Sequence, residues 1–147
     1  MKVSTRGRYG TRLLLDLALN NGRGPIPLRE IAKRQQISLV YLEHLVAPLI
    51  RAGILRSIRG AKGGIALAKP PEEIRLSRVI DVLEGSVAPV ECVDNAALCA
   101  RSDECATRDV WIDIKAAIMG VLESLTVKDL MERQRAKSPS KPETYSI

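Results

Sequence analysis

Residues 54–68 constrain the fold most. Ile54-Leu55-Arg56-Ser57-Ile58 and Ile65-Ala66-Leu67-Ala68 read as two short strands around the turn Arg59-Gly60-Ala61-Lys62-Gly63-Gly64, in a chain whose other periodic segments are helical. The turn places Arg59 and Lys62 among three glycines, so the backbone can come close to a phosphate while the side chains supply charge.

Two helices precede this hairpin at the spacing of a helix-turn-helix. Leu28 to Gln35 puts Leu28, Ile31 and Ala32 on one face. After the turn Gln36-Ile37-Ser38, with Ser38 as N-cap, Leu39 to Ala52 carries the apolar stripe Leu39, Leu42, Leu45, Val46, Leu49 and Ile50. A first helix, Gly7 to Asn20, has Tyr9, Leu13, Leu14, Leu17 and Ala18 at helical spacing, and Pro25-Ile26-Pro27 is a connector. Helix pair plus hairpin predicts a winged helix.

Charge agrees with a polyanionic partner. Residues 1–70 hold 13 Lys/Arg against 3 Asp/Glu, and residues 71–147 hold 10 against 14, so the cationic excess sits on the winged-helix half. The outer face of the helix from Leu39 leaves Val40, Tyr41, Glu43 and His44 free, and with Ser38 these are the candidates for reading base edges. Arg6, Arg8, Arg12, Arg29, Lys33 and Arg34, with Arg59 and Lys62 on the wing, are the candidates for phosphate. His44 is the sole histidine, and no nucleophile–base pair, phosphate cradle or carboxylate pair has supporting context, so the chain is not expected to be an enzyme.

A short helix, Ser77 to Leu83, ends before Gly85, and residues 85–103 lack periodicity over a length that points to function or disorder. From Glu104 to about Leu125 a long helix sets Trp111, Ile114, Ile118, Val121 and Leu125 at a/d spacing, with Val110, Ala117 and Leu122 widening the stripe. Thr126-Val127-Lys128-Asp129 reads as a capping box opening a last short helix, and Lys137 to Ile147 as a disordered tail. No secretory signal or spanning segment is legible, so a cytoplasmic location is expected, where thiols stay reduced. Cys92, Cys99 and Cys105 are separated by six and five residues. That spacing is not the paired Cys-x2-Cys of structural zinc. It leaves two readings open: three soft ligands for an iron–sulfur cluster, or three unrelated thiols.

The stretch MKVSTRGRYG at the start, ISLVYLEHLVAPLIRAGILRSIRGAKGG from Ile37 to Gly64, VIDVLEG from Val79 to Gly85 and the cysteine triad resemble the IscR-like winged-helix transcription regulators. That family includes the iron–sulfur regulator, the nitric-oxide-sensing repressor and the cysteine-metabolism repressor of bacteria. The resemblance covers about residues 1–132. It implies a mainly α fold: a winged helix-turn-helix domain at 1–84 with a small two-stranded wing, a cysteine-bearing loop at 85–103, and a dimerisation helix with a short terminal helix at 104–136. It further implies a homodimer held by Trp111, Ile114, Ile118, Val121 and Leu125, reading a pseudo-palindromic operator with half-sites about 34 Å apart or a multiple of that.

The resemblance also makes Cys92, Cys99 and Cys105 ligands of a 2Fe-2S or 4Fe-4S cluster whose binding orders the loop, tilts the dimer helix and changes how the third helix is presented. The chain departs from the pattern at the fourth ligand. Arg108 stands where the iron–sulfur regulator has histidine, and Arg8, Thr11 and Arg12 stand where other members offer a carboxylate or histidine. Asp94, Asp103, Glu104 and Asp109 lie nearby in sequence. The alternatives are a cluster-free regulator of cysteine or sulfur metabolism acting through a protein partner, a thiol redox sensor, and a non-specific nucleic-acid-binding protein.

Overall fold

Ser4 starts the first helix by accepting the Arg6 amide on its side chain, so α1 runs Thr5–Leu19, two residues earlier than the apolar spacing alone predicts. The computed structural model describes Met1–Ser138. Leu13, Leu14, Leu17 and Ala18 of α1 are buried as the spacing requires. α2 spans Leu28–Gln35 and stops at Gln36, which adopts the left-handed conformation at φ 55°. Ser38 then accepts the Tyr41 amide at 3.1 Å and opens α3, Leu39–Arg51. Leu42, Leu45 and Leu49 of α3 are at most 1% exposed, whereas Leu39 and Ile50 at its two ends are half-buried.

β1 (Leu55–Ile58) and β2 (Gly64–Leu67) pair antiparallel, with Leu55 opposite Leu67 and Ile58 opposite Gly64. The sheet reaches one residue further than expected. Ile26, in the middle of the connector, exchanges both backbone hydrogen bonds with Ile65, at 2.9 and 2.8 Å. Prolines on either side limit this extra strand to a single residue. Gly64 permits the approach, because a Cβ there would lie 2.3 Å from the Ile26 carbonyl.

After a 3-10 turn at Pro71–Glu73, α4 runs Leu76–Glu84. Residues 85–105 are ordered rather than featureless. They hold three 3-10 turns, Glu91–Val93, Ala96–Leu98 and Ser102–Glu104, the last occupying the position expected to start the long helix. α5 therefore begins at Ala106 and ends at Ser124, about 28 Å at the usual rise per residue.

Leu125 falls outside that helix. It is extended, its carbonyl accepts the Leu76 amide at 2.9 Å, and Val127 returns an amide to the Ile74 carbonyl at 2.9 Å. This short pairing turns the chain back towards α1. The capping box at Thr126 and Asp129 then starts α6, Val127–Lys137, which packs on α1 and on the turn at Pro71–Glu73. Val127 is fully buried in the same core as Leu13 and Leu42, with Leu122, Leu125, Leu130 and Met131 against it. Lys137 thus closes a helix instead of opening a tail, and the rest of the expected tail, residues 139–147, lies outside the described residues.

Candidate nucleic-acid interface and cysteine loop

Packing of the leucine stripe of α3 into the core points its other face outward. Val40 is 64% exposed, and Glu43, His44, Ala47 and Arg51 are exposed with it. Tyr41 differs from its neighbours: it is half-buried and meets the Tyr9 ring edge-on at 5.8 Å. It anchors the first turn of α3 to α1, which leaves its hydroxyl as the part that can meet a ligand.

The same Tyr9 ring is flanked by cations. The guanidinium of Arg12 lies 5.4 Å and that of Arg8 5.8 Å from its centroid. Arg12 also donates to the Gln35 side chain at 3.1 Å and to the Gln35 carbonyl. Arg12 thereby ties α1 to the end of α2, and Arg8 and Arg12 share the Tyr9 ring that meets Tyr41 of α3. Arg6, Arg29 and Lys33 are exposed on α1 and α2, and Arg59 and Lys62 are exposed on the wing. The wing turn is tight because Gly63 has no side chain, since a Cβ would lie 2.1 Å from the Ile58 carbonyl oxygen.

Arg34 is engaged elsewhere. Its Nε and Nη2 donate to the two carboxylate oxygens of Asp16 at 3.0 and 2.6 Å, and Gln35 donates to Asp16 at 2.9 Å. Asp16 is 3% exposed, and the hydrogen bond to it raises the Arg34 guanidinium further above its ordinary value. Neither Asp16 nor Gln35 is among the residues expected at the site, although an acid inside the apolar stripe of α1 signals the need for a buried partner.

The cysteine loop begins where α4 ends. Cys92 lies in the first 3-10 turn and is half-buried, Cys99 follows the second and is exposed, and Cys105 is the half-buried N-cap of α5. All three are free thiols. The Thr107 hydroxyl, and after it the backbone of Arg108, pull the Cys105 thiol below its ordinary value. Arg108 donates to the Cys92 carbonyl at 2.9 Å, and Lys115 holds Asp94 at 2.6 Å. The Lys115 contact and, second, the Ser86 hydroxyl keep the Asp94 carboxyl below the usual carboxylate range. Two cations of α5 therefore fasten the loop to the helix. Among the described residues no three Cys, His, Asp or Glu side chains are gathered as metal ligands, so the thiols share one loop without being preassembled.

α5 is amphipathic and its apolar face is only partly covered. None of its 19 residues, all of them described, is buried. Trp111, Ile114 and Ile118 are half-buried, while Val110 and Val121 are 51% and 60% exposed. Leu125 and Leu122 sit against the hydrophobic core that holds Leu13 and Leu42. No helix among the described residues is long and apolar enough to cross a membrane.

Against known proteins, residues 3–133 match the model of the Rrf2 family, described as an iron-dependent transcriptional regulator. The chain is 44% identical over 130 residues to the HTH-type transcriptional regulator CymR of Bacillus subtilis (strain 168), covering 88% of this chain and 89% of that one. The solved structure of CymR, titled the global cysteine regulator of B. subtilis, superposes with a TM-score of 0.79 at 42% identity, over 90% of this chain and 98% of that one. The structure of T. potens IscR superposes with a TM-score of 0.78 at 38% identity, over 96% and 94%. Neither of these relatives is named as an enzyme.

Proposed function

The chain belongs to the Rrf2 family of transcriptional regulators, and from that premise we propose that it is a cytoplasmic homodimer that binds a pseudo-palindromic operator through α3 and the wing. The observation that carries this reading is the pair of cations, Arg8 and Arg12, on the Tyr9 ring, which meets Tyr41 in the first turn of α3, the helix that exposes Val40, Glu43 and His44. Ser38, Val40, Glu43, His44 and the Tyr41 hydroxyl read bases, Arg6, Arg8, Arg12, Arg29, Lys33 and Lys62 hold phosphates, and Arg59 enters beside them from the wing. Arg34 contributes charge from its pair with Asp16. Dimerisation uses Trp111, Ile114, Ile118 and Val121, with Leu125 bracing the end of the helix from its own core. In vitro selection of duplexes on the purified protein tests this. A recovered inverted repeat, bound with a steep salt dependence, supports it. Equal binding to every duplex returns the protein to the non-specific class.

The second element of the reading is control through the loop. Cys92, Cys99 and Cys105 would hold an iron–sulfur cluster, which when bound supplies a centre reactive towards oxygen and nitric oxide. The donor chemistry fits: three free thiols lie on one loop, and Cys105 is biased towards thiolate. The chain's own part is to close the three turns on one another, and the ties from Arg108 to Cys92 and from Lys115 to Asp94 carry that movement to α5.

Those same ties favour a second reading, a cluster-free regulator of cysteine or sulfur metabolism, because Asp94 and the backbone of Cys92 already have partners and no three ligand side chains are gathered among the described residues. Anaerobic purification with visible absorption, iron and acid-labile sulfide per chain separates the two. A brown protein bleached by Cys99→Ala supports the cluster, and a colourless one that binds its operator supports the second reading. A disulfide found by mass spectrometry after peroxide would make the loop a thiol switch.

A further inference from the structure

We infer that Glu84 is a positioning residue that holds the DNA-facing start of α1 in place from the root of the cysteine loop, an inference that rests on the DNA-binding reading above. One oxygen, Oε1 of Glu84, accepts the Ser4 amide at 2.9 Å, the Ser4 hydroxyl, and the Gly7 amide at 3.0 Å. Two of those donors are amides at the amino end of α1, where a helix has no internal acceptors and where its dipole favours a negative charge. Ser4 already caps the helix through Arg6, so the carboxylate adds a second, long-range tether across 80 residues.

Gly7 is shaped for this contact. A Cβ there would fall 2.4 Å from Oε1 of Glu84 and 2.9 Å from Cγ1 of Val3. The tethered turn is the one that projects Arg6 and Arg8, both exposed. On its other side Glu84 is the last residue of α4, and Gly85, at φ 77°, turns the chain directly into the loop that carries Cys92. A cavity of about 390 Å³ separates Met1 and Val3 from Ala88, Pro89 and Ile118, with Glu84 in its wall. The residues ahead of α1 and the loop root therefore face each other across this cavity and are joined by the Glu84 side chain. A shift of the loop root moves the carboxylate, and the carboxylate carries the first turn of α1 with it.

The test is a titration of a labelled random-sequence duplex at several salt concentrations, since the slope of log K against log salt counts phosphate contacts. Glu84→Ala is expected to weaken binding and to flatten the slope by roughly one to two contacts, those of Arg6 and Arg8. Glu84→Gln keeps an acceptor oxygen and should restore the slope. Gly7→Ala, which displaces the same oxygen from the opposite side, should flatten it as Glu84→Ala does, and it carries the test should Glu84→Ala fail to fold.

Alkylating the thiols with iodoacetamide should shift the affinity of the wild type and leave Glu84→Ala unmoved. A wild-type slope in both Glu84→Ala and Gly7→Ala overturns the positioning role. An equal alkylation shift in the wild type and Glu84→Ala, or none in the wild type, overturns the link to the loop. Wild-type protein that binds no duplex overturns the DNA-binding reading itself, and that result is read before any variant is made.

Discussion

Leu13, Leu14, Leu42 and Leu49 of the winged helix are fully buried, while α5, the longer helix and comparably apolar, leaves every residue at least partly open. The first region satisfies its hydrophobic stripes within one chain: α1, α3, α4 and α6 close on one another with the sheet at the side. The second has a stripe of the same kind and too few neighbours. Its inner edge rests on α4 and on the turn at Glu91–Val93, and its outer edge, Val110 and Val121, stays exposed among the described residues. One half of the molecule is finished by folding, and on the proposed reading the other half is finished by association. That division also explains the placement of charge, because the finished half can spend its surface on a polyanion.

Breaking association should cost most. Val121→Asp puts a charge on the open edge of α5, and sedimentation should find a monomer. Operator affinity should then fall by roughly 10²–10⁴-fold, because two half-sites are no longer engaged by one linked pair. Its far-ultraviolet circular dichroism should match that of the wild type, since the side chain is 60% exposed. A Val121→Asp protein that remains dimeric would show that α5 is not the seam.

Next in size is a cavity in the finished half. Leu45→Ala, at a residue 1% exposed, should lower stability by about 2–5 kcal/mol in urea titration. Val110→Ala on α5, made in the monomeric background, should stay within about 0.5 kcal/mol, the ordinary range for a surface change. Equal losses at the two positions would mean that α5 is packed within its own chain after all.

The two halves were also unequally legible. Periodicity and turn chemistry act over a few residues, so the bounds of α2, the Ser38 cap and the wing glycines could be read directly, and Gly63 proves to be where a side chain cannot go. The amphipathic stripe of α5 was visible too, yet a stripe does not say which neighbour it faces, and Leu125 was counted on the helix although its pairing with Leu76 takes it out. Contacts over long separations were hidden. Nothing local marks Ile26 as a strand residue for Ile65, Asp16 as the partner of Arg34, or Glu84 as the acceptor for Ser4. The turns between Glu91 and Glu104 have no period to detect, and Lys115, which holds the candidate ligand Asp94, lies 21 residues away along the chain.

A third measurement probes the polar part of the finished half. Asp16→Ala removes the acceptor of Arg34 and Gln35. A carboxylate so buried argues for a large loss, but the Arg34 side chain is 39% exposed and can return to water, so about 1–2 kcal/mol is the expected cost. A change below a few tenths would mean that the pair is solvated as an ordinary surface bridge.

The smallest effect concerns where the second half ends and the first resumes. Thr126 and Asp129 cap α6 reciprocally: the Asp129 amide donates to the Thr126 hydroxyl oxygen at 3.3 Å, and the Thr126 amide donates to the Asp129 carboxylate at 2.7 Å. Thr126→Ala should cost about 1 kcal/mol. The Thr126 amide and then its hydroxyl hold the Asp129 carboxyl below its ordinary value. A carboxyl whose value is lowered by folding stabilises the fold above its unfolded value, about 3.9 for aspartate, and loses that contribution as the pH falls through the lowered folded value. Asp129→Asn should therefore melt below the wild type at neutral pH, and the gap should close in acid as the wild-type carboxyl is protonated. Because Val127, beside this cap, is fully buried in the winged-helix core, the melt affected should be that of the first half. A gap that widens in acid would place the stabilising charge elsewhere, and an Asp129→Asn protein whose only change is in dimer dissociation would assign α6 to the associating half instead.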